Sequence, residues 1–507
     1  MNIEEKLELM KRMFNPKNIA IMGATDKMMK IGSFVVMSVL SCGFTKKIYA
    51  INPNPKYEKK KIFGIDVYPS LDKCPEPIDL VGIVVPPNAV VDSVKQAIEN
   101  DVRTAAIITA GFGEVKTEER QSENRELVKV ANDGGLIFVG PNSMGLYTSE
   151  DNSSPLHLGF GFMMPRPGNL SIVSQSGTMG SILCSALEKV RHFVSSGNEA
   201  SLTLEDYLEF YAQDKETKVI ALFAEGLRAG TRFKEICLET TKTKPIVFLK
   251  AGLTKTGARA ANSHTGSIAG SLNIYKAVFR QTGVIYTDSV WEYIYLIKGA
   301  QYLLPLPNID RLRAGIISGG GGFVVHLTDL CERQGINVVD LTTEPNGPQL
   351  IEDISKLLPF YWSRNNPVDM VAANDETLYR KITELMLNSG CFDVLFTMTS
   401  ASFRDRIKRM KPVNEYGERL KEMMLPVLSK RMEQTVENEI NVCLRHPDKR
   451  IIYISFDSGA RNPIFDKYDD NKVMVIGGDL ELGPIVLRKL HEYQKFINSK
   501  ATTKNHD

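Results

Sequence analysis

The stretch IDLVGIVVPPNAVVDSVKQAIENDVRTAAIITAGFG (78–113) indicates the fold class. It contains two short apolar runs, IDLVGIVVP (78–86) and AAIITAGFG (105–113), separated by the amphipathic segment NAVVDSVKQAIEND (88–101). A short run that is apolar throughout is typical of a strand buried on both faces, and the intervening segment has helical periodicity. The pattern therefore predicts a strand–helix–strand unit whose two strands are parallel.

Three further apolar runs lie in the block from about 15 to 148. Each ends in a glycine- or proline-containing turn: KNIAIMG (17–23), KIYAINP (47–53) and LIFVGPN (136–142). A second helical pattern, ERQSENRELVKVANDGG (119–135), precedes the last of them. Apolar strands that alternate with amphipathic helices predict a parallel sheet covered on both faces. Ligands of such sheets bind outside the carboxyl ends of the strands.

Two more blocks repeat this alternation. A Ser-, Gly- and Pro-rich stretch (149–167) predicts a linker to a second block with strands at LSIVSQSG (170–177), HFVSSGN (192–198), VIALFAEG (219–226), PIVFLKAG (245–252) and GVIYTDS (283–289). A third block opens with AGIISGGGG (314–322) and closes with KVMVIGGD (472–479) and a helix over 480–496. We predict three α/β domains, at 1–148, 168–303 and 312–500. The charged segment 403–450 predicts a helical insertion, either a solvated bundle or a subunit contact.

Composition excludes several classes of protein. The 507 residues carry a net charge of +2 without a concentrated basic face, which argues against nucleic-acid binding. The seven cysteines form no CxxC pair, so we expect neither a disulfide framework nor a metal site. The segment MNIEEKLELMKRMF (1–14) lacks the apolar core of a signal peptide, and no uninterrupted apolar run approaches the ~20 residues that span a bilayer. We expect a soluble, cytoplasmic protein without membrane contact.

Two glycine-rich strand exits predict anion sites. SQSGTMGS (174–181) and SGGGGFVVHLTDLCERQG (318–335) each join a strand to a helix. Small residues let a bound group approach the backbone, and the free N–H groups of the first helical turn point towards it. Neither is a Walker loop, because no GKS or GKT follows.

One histidine lies in an unusual setting. His264 sits in ANSHTGSIAGS (261–271) among small side chains, with no nearby Cys, Asp or Glu to form a metal site. The segment suggests a phosphate carrier, in which two helix N-termini stabilise a phosphorylated ring. Glu225, at a strand exit of the same block, is the candidate acid that orients the imidazole through one nitrogen and leaves the other free to attack phosphorus.

These residues carry a resemblance to a known family. KAGLTKTGARAANSHTGSIAGS (250–271) resembles the phosphohistidine segment of ADP-forming acyl-CoA synthetases, which are relatives of succinyl-CoA synthetase. Further segments match that family in order: FNPKNIAIMGATDKMMKIGSFV, INPNP, VVPPNAVVDSV, ITAGFGE, GPNSMGL, SQSGTMG, SGNEASLTLEDYLEF, FAEG and NPVDM (366–370). The resemblance extends over nearly the whole chain.

The resemblance implies a Rossmann-like CoA-binding domain followed by two flavodoxin-like domains. It implies that His264 is phosphorylated transiently and that Glu225 orients it. It implies phosphate-binding residues in the two glycine-rich loops: Ser174, Gln175, Ser176, Gly177, Thr178, Gly319, Gly320, Gly321 and Gly322. It implies contacts to coenzyme A, with the last residue near the acyl-transfer site: Gly23, Thr25, Pro53, Val85, Pro86, Ala110, Glu114 and Asn142.

The implied reaction interconverts acid, CoA and ATP with acyl-CoA, ADP and phosphate through an acyl phosphate. No segment resembles an ATP-grasp domain, so we expect ATP or ADP with magnesium on a separate ATP-grasp β subunit, in an α2β2-like assembly. The acid is expected to be a small carboxylic acid. INPNP replaces the family's more usual NPK, which displaces Lys56 as a possible phosphate contact. The alternative is a non-catalytic CoA-binding sensor that retains the fold.

Overall fold

A computed structural model describes residues 1–161, 165–187, 189–259, 272–371, 375–399, 410–455 and 463–503. It divides into two compact units, Met1–Ile294 and Tyr295–Asp507. The first unit contains two seven-stranded sheets and the second unit contains one six-stranded sheet.

The first sheet has the strand order β3-β4-β2-β1-β5-β6-β7. Its strands are β1 (Asn18–Met22), β2 (Lys47–Ile51), β3 (Lys61–Ile62), β4 (Ile65–Tyr68), β5 (Leu80–Ile83), β6 (Thr104–Ile107) and β7 (Ile137–Val139). All pairs are parallel except the small β3–β4 hairpin. Without β3, the order is the doubly wound Rossmann arrangement, so the predicted fold class is confirmed here.

The second sheet has the order β14-β13-β12-β10-β11-β8-β9. Its strands are β8 (Gly145–Thr148), β9 (Leu156–Gly159), β10 (Arg166–Ser174), β11 (Lys189–Ser195), β12 (Val219–Ala224), β13 (Ile246–Lys250) and β14 (Ile285–Thr287). The five strands from β10 to β14 are parallel, as predicted. The antiparallel pair β8–β9 lies where the sequence predicts the end of the first block and a linker. The turn-rich residues between these strands form a hairpin connection, which has the same composition as a linker.

The third sheet has the order β16-β15-β18-β19-β20, and β17 pairs with β15. Its strands are β15 (Arg313–Ser318), β16 (Asn337–Val338), β17 (Val368–Asp369), β18 (Val394–Met398), β19 (Arg450–Ser455) and β20 (Met474–Gly477). Every pair is parallel. This sheet and the second one agree with the predicted parallel α/β class.

Helices connect and cover the sheets. In chain order they are α1 (Ile3–Phe14), α2 (Ile31–Ser41), α3 (Val90–Glu99), α4 (Glu118–Asp133), α5 (Gly177–Leu187), α6 (Leu204–Gln213), α7 (Gly230–Thr240), α8 (Leu272–Thr282), α9 (Val290–Tyr302), α10 (Gly321–Arg333), α11 (Gly347–Ser355), α12 (Glu376–Asn388), α13 (Glu415–Arg445), α14 (Pro463–Asp470) and α15 (Leu482–Thr503). The 31-residue α13 occupies most of the predicted charged insertion. Within the described ranges, no helix has both the length and the apolar character needed to cross a bilayer.

An apolar core shared by the first two sheets positions their strand exits. It includes Ile19 and Ile21 of β1, Leu158 of β9 and Val173 of β10, all fully buried. Gly82 of β5 faces Leu158 so closely that an added Cβ would lie 2.9 Å from its Cδ1. The carboxyl ends of the two sheets are therefore held in fixed relation within the first unit.

Candidate active site

The exits of β1 and β5 lie side by side at the switch point of the first sheet. Gly23 follows β1 with φ +89°, and a Cβ there would lie 2.5 Å from the carbonyl oxygen of Val84. Thr25 Oγ1 is 2.8 Å from the hydroxyl of Tyr57, which donates to Asp26 at 2.6 Å. Val85 and Pro86 follow β5, so four predicted CoA contacts lie at this crevice, the usual ligand position in the fold.

Lys56 provides a cation beside the same crevice. Its Nζ lies 3.5 Å from Asp26 Oδ1 and 4.0 Å from the centroid of the Tyr57 ring, close to the β2 exit that carries Pro53. The hydrogen bond from Tyr57 lowers the pKa of Asp26, and the interaction with Tyr57 raises the pKa of Lys56. Lys56 thus supplies a cation at this crevice, and Asp26 balances its charge.

The exits of β6 and β7 meet a loop of the second sheet. Glu114, four residues beyond Ala110, accepts hydrogen bonds from the amides of Gly111 at 2.5 Å and Phe112 at 3.2 Å. It also accepts one from Nδ2 of Asn198, which follows β11. Asn142, at φ +57°, donates to Oδ1 of Asn198 at 3.2 Å. The predicted acyl-transfer residue Asn142 is thus linked to the second sheet.

The loop after β10 opens towards the start of α5. Ser174 donates to the carbonyl oxygen of Ser176 at 2.6 Å, and α5 begins at Gly177. Within the described residues, the amides of Gly177 and Thr178 form no hydrogen bond. Free amides at a helix N-terminus suit an anion, so the geometry fits the predicted phosphate loop.

Gln175 joins this loop to the exit of β12. Its Oε1 accepts from the amides of Glu225 at 2.6 Å and Gly226 at 3.1 Å. Its Nε2 donates to the carbonyl oxygen of Gly226 at 2.8 Å. Lys250, whose pKa burial lowers, donates to the carbonyl oxygen of Glu225 at 2.7 Å. The structure therefore brings Glu225 and the loop 174–178 together.

Glu199 is a site residue that the sequence reasoning missed. The residue is 6% exposed, and Oε1 accepts from Nε2 of Gln175 at 3.0 Å and from Oγ of Ser196 at 2.8 Å. Among the described residues, Oε2 has no hydrogen-bond partner, and Nε of Arg228 is 3.9 Å away. Burial raises the pKa of Glu199 to about 7. The available signal was an acid directly after a predicted strand exit, SSGN, inside a segment that matches the family.

Two predicted elements require separate mention. His264 lies outside the described residues. In the second unit, Gly319 and Gly320 follow β15 and α10 begins at Gly321. A Cβ added at Gly319 or Gly322 would meet no atom within 4 Å, so the backbone of this loop is open to a bound group.

A cluster of Glu150, His192 and Asp214, of which His192 is buried, has the composition of a metal site, with ligand atoms within 4.8 Å of one another. Arg191 lies among them and donates to Glu150 at 2.5 Å and to Asp214 at 3.2 Å. Burial lowers the pKa of His192, which favours the neutral ring. A guanidinium already compensates both carboxylates, so this cluster is an ion-pair network of the fold.

Comparisons with known proteins agree with this geometry. Residues 17–149 match the family model of the CoA binding domain, and residues 167–299 match that of the succinyl-CoA ligase like flavodoxin domain. With the switch-point crevice and the loop at α5, these matches define a CoA-binding α/β protein of the succinyl-CoA ligase type.

Two related enzymes identify the family more narrowly. The chain is 33% identical over 389 residues to the α subunit of ADP-forming acetate–CoA ligase II of Pyrococcus furiosus, covering 76% of this chain and 81% of that one. It is 35% identical over 373 residues to the α subunit of ligase I of that organism, covering 72% and 78%. The chain belongs to the family of ADP-forming acyl-CoA synthetases.

A solved structure supports the same assignment over almost the full length. It is the dinucleotide-forming acetyl-coenzyme A synthetase 1 of Candidatus Korarchaeum cryptofilum in complex with phosphate and ADP. The TM-score is 0.78 at 27% identity, and the match covers 97% of this chain and 98% of that chain. The predicted enzyme class, an acid–thiol ligase with CoA as a substrate, is confirmed, and no comparison supports the non-catalytic alternative.

Proposed function

We propose that this chain carries the CoA and phosphohistidine half-reactions of a small carboxylic acid–CoA ligase. CoA binding is assigned to 1–148, the phosphohistidine to 168–303 and the second phosphate loop to 312–500. An ATP-grasp β subunit in an α2β2-like assembly supplies the site for ADP or ATP with magnesium. The names of the P. furiosus relatives, which are α subunits, support a partner subunit.

The proposed reaction has two reversible steps on this chain, followed by a third in the partner subunit. A phosphate oxygen attacks the thioester carbonyl, the C–S bond breaks, and CoA leaves as a thiol after taking up a proton. A ring nitrogen of His264 then attacks phosphorus, the bond between phosphorus and the acyl oxygen breaks, and the carboxylate is released. In the partner site, the phosphoryl group passes from the ring to ADP and forms ATP.

In these steps, the residues of this chain bind the phosphoryl group and CoA and orient the imidazole. The loop 174–178 offers main-chain amides to the phosphoryl oxygens, and the loop 319–322 is proposed separately as a phosphate-binding loop of the second unit. Preorganised amides of this kind stabilise developing negative charge without reorganisation. The carboxylate of Glu225 accepts a hydrogen bond from the N–H of one ring nitrogen of His264 and leaves the other nitrogen unprotonated for attack. Glu114 and Asn142 belong to the part of the site where CoA is bound.

One observation carries the proposal. Gln175 binds the backbone at Glu225 and Gly226 through three hydrogen bonds of 2.6, 3.1 and 2.8 Å. A residue of the phosphate loop thereby fixes the backbone of the orienting acid next to the free amides of α5. An acid and an anion site held together in this manner suit a phosphorylated imidazole, which needs both.

The test is the labelling of the full-length chain with acetyl-CoA and radioactive inorganic phosphate. We expect an acid-labile, base-stable phosphate on the parent chain and none on His264→Ala. Equal labelling of both would exclude His264 as the carrier. With the ATP-grasp partner and ADP added, the label is expected to appear in ATP.

A further inference from the structure

Glu199 lies at the centre of the first unit's site, but the mechanism above gives it no task. It follows β11, between Asn198, which contacts the CoA-binding sheet through Glu114, and Gln175, which holds Glu225. Its backbone has φ +53°, a left-handed conformation that is uncommon for a residue other than glycine. Such residues concentrate at functional sites, where surrounding contacts maintain the strain.

The orientation of the side-chain amide of Gln175 depends on Glu199. The side-chain amide must present its oxygen to the two N–H groups of Glu225 and Gly226 and its nitrogen to the carbonyl oxygen of Gly226. A rotated amide would place NH2 against two donors. Oε1 of Glu199 also accepts from Ser196, so it is an acceptor whether or not a proton resides on Oε2. Glu199 therefore favours only the orientation of Gln175 that binds the backbone at Glu225.

We propose that Glu199 is a positioning residue for phosphoryl transfer, acting through Gln175 to fix the backbone that carries Glu225. The proposal rests on the proposed function, because Glu225 matters only if it orients a phosphorylated imidazole. Glu199 touches no reacting atom. Its effect is expected in the rate of phosphorylation and in the local stability of the 225–226 backbone, while CoA affinity remains at the parent value.

The charged and titratable groups around Glu199 are few. Arg228 lies on one side of Glu199, and Glu205 and Tyr207 interact with Glu199 electrostatically from the beginning of α6. Glu114 lies beyond Asn198. Glu205 binds the amides of Arg228 at 2.9 Å and Ala229 at 2.8 Å and makes no hydrogen bond to Gln175. It is therefore a matched control, a buried acid in the same unit that holds a different stretch of backbone.

The first experiment compares Glu199→Leu and Glu199→Gln in the labelling reaction with acetyl-CoA and inorganic phosphate. Leucine removes the acceptor, and misplacement of a reacting group by about 1 Å can cost roughly a hundredfold in rate, so we expect a loss of about 10- to 100-fold. Glutamine retains an acceptor oxygen and is expected to restore most of the rate. Glu199→Leu added to Gln175→Leu is expected to cause no further loss, because both act through one contact. An unchanged rate in Glu199→Leu, or additive losses in the double variant, would overturn the proposal.

The second experiment does not depend on activity. Hydrogen exchange of the full-length chain reports the amides of Glu225 and Gly226 directly. Faster exchange at these two amides is expected in Glu199→Leu, and the parent rate in Glu199→Gln. Glu205→Leu is expected to change only the amides of Arg228 and Ala229. If the parent chain takes up no phosphate label but the exchange pattern is as expected, the proposed function is rejected and the contact between Glu199 and Gln175 stands. If exchange at 225–226 is unchanged in Glu199→Leu, the positioning role itself is rejected.

Discussion

At the scale of single residues, the site consists of side chains that fix the main chain through hydrogen bonds. Gln175 binds the backbone at Glu225, Glu199 fixes Gln175, and Glu114 binds the amides of Gly111 and Phe112. Groups held by several hydrogen bonds keep their geometry when charge develops nearby. In the proposed mechanism, these side chains act by fixing the backbone that carries the reactive groups.

Glu225→Gln tests the role of the orienting acid. The amide has nearly the same shape and leaves the Gln175 contacts in place, because these involve only the backbone of residues 225 and 226. Loss of the carboxylate removes the group that fixes the imidazole tautomer, so phosphorylation is expected to fall by about 10²-fold or more. CoA affinity, measured by calorimetry, should stay at the parent value. Unchanged phosphorylation would remove Glu225 from the mechanism.

Glu199 also predicts a pH-dependent stability. Its pKa is about 7 in the fold and near 4.5 for an ordinary glutamate, so the folded state binds more protons between these values. Stability is therefore highest below about pH 4.5 with respect to this group, falls as the pH rises to about 7, and is constant above it. Glu199→Gln removes this loss, which corresponds to at most about 3 kcal/mol.

The measurement is chemical denaturation of parent and Glu199→Gln at pH 5.5 and pH 8. The free-energy difference between variant and parent should move in favour of the variant as the pH rises. Glu205→Gln, at another buried acid of the unit, provides the comparison. A difference that is the same at both pH values would show that Glu199 does not titrate in this range.

At the scale of elements, the connection from β1 to α2 depends on close backbone packing. A Cβ at Gly23 would lie 2.5 Å from the carbonyl oxygen of Val84, and one at Gly32 in α2 would lie 2.3 Å from the carbonyl oxygen of Gly23. The three elements β1, β5 and α2 can meet at the switch point because neither position has a side chain. This contact forms the floor of the proposed CoA site.

Gly23→Ala and Gly64→Ala separate two effects of a side chain at such a position: backbone strain at positive φ and steric overlap with neighbouring backbone. Both glycines have φ near +90°, at +89° and +87°, but an added Cβ at Gly64 meets no atom within 4 Å. We expect Gly64→Ala to lower the free energy of unfolding by about 1–2 kcal/mol from backbone strain alone. Gly23→Ala should cost roughly 1–3 kcal/mol more and weaken CoA binding, because backbone must also move. Equal unfolding costs with parent CoA affinity would contradict the close packing at the switch point.

At the scale of the whole molecule, the sequence predicts the parallel sheets better than the details that complete the site. Runs such as KNIAIMG and VIALFAEG are apolar throughout because both faces of their strands are buried, and this signal is local. The short hairpin strands β3 and β8 carry no such signal and are defined by their partners in the sheet. Glu199 was missed for a similar reason, since its importance comes from Gln175, 24 residues away in sequence.

The division into units gives a final prediction for a fragment of residues 1–294. Two apolar cores lie wholly between Leu7 and Val284, so we expect this fragment to fold and to bind CoA with the affinity of the full chain. Calorimetry with CoA measures this affinity, and the full-length chain provides the comparison. A folded fragment that fails to bind CoA would contradict the assignment of the CoA site to the first unit.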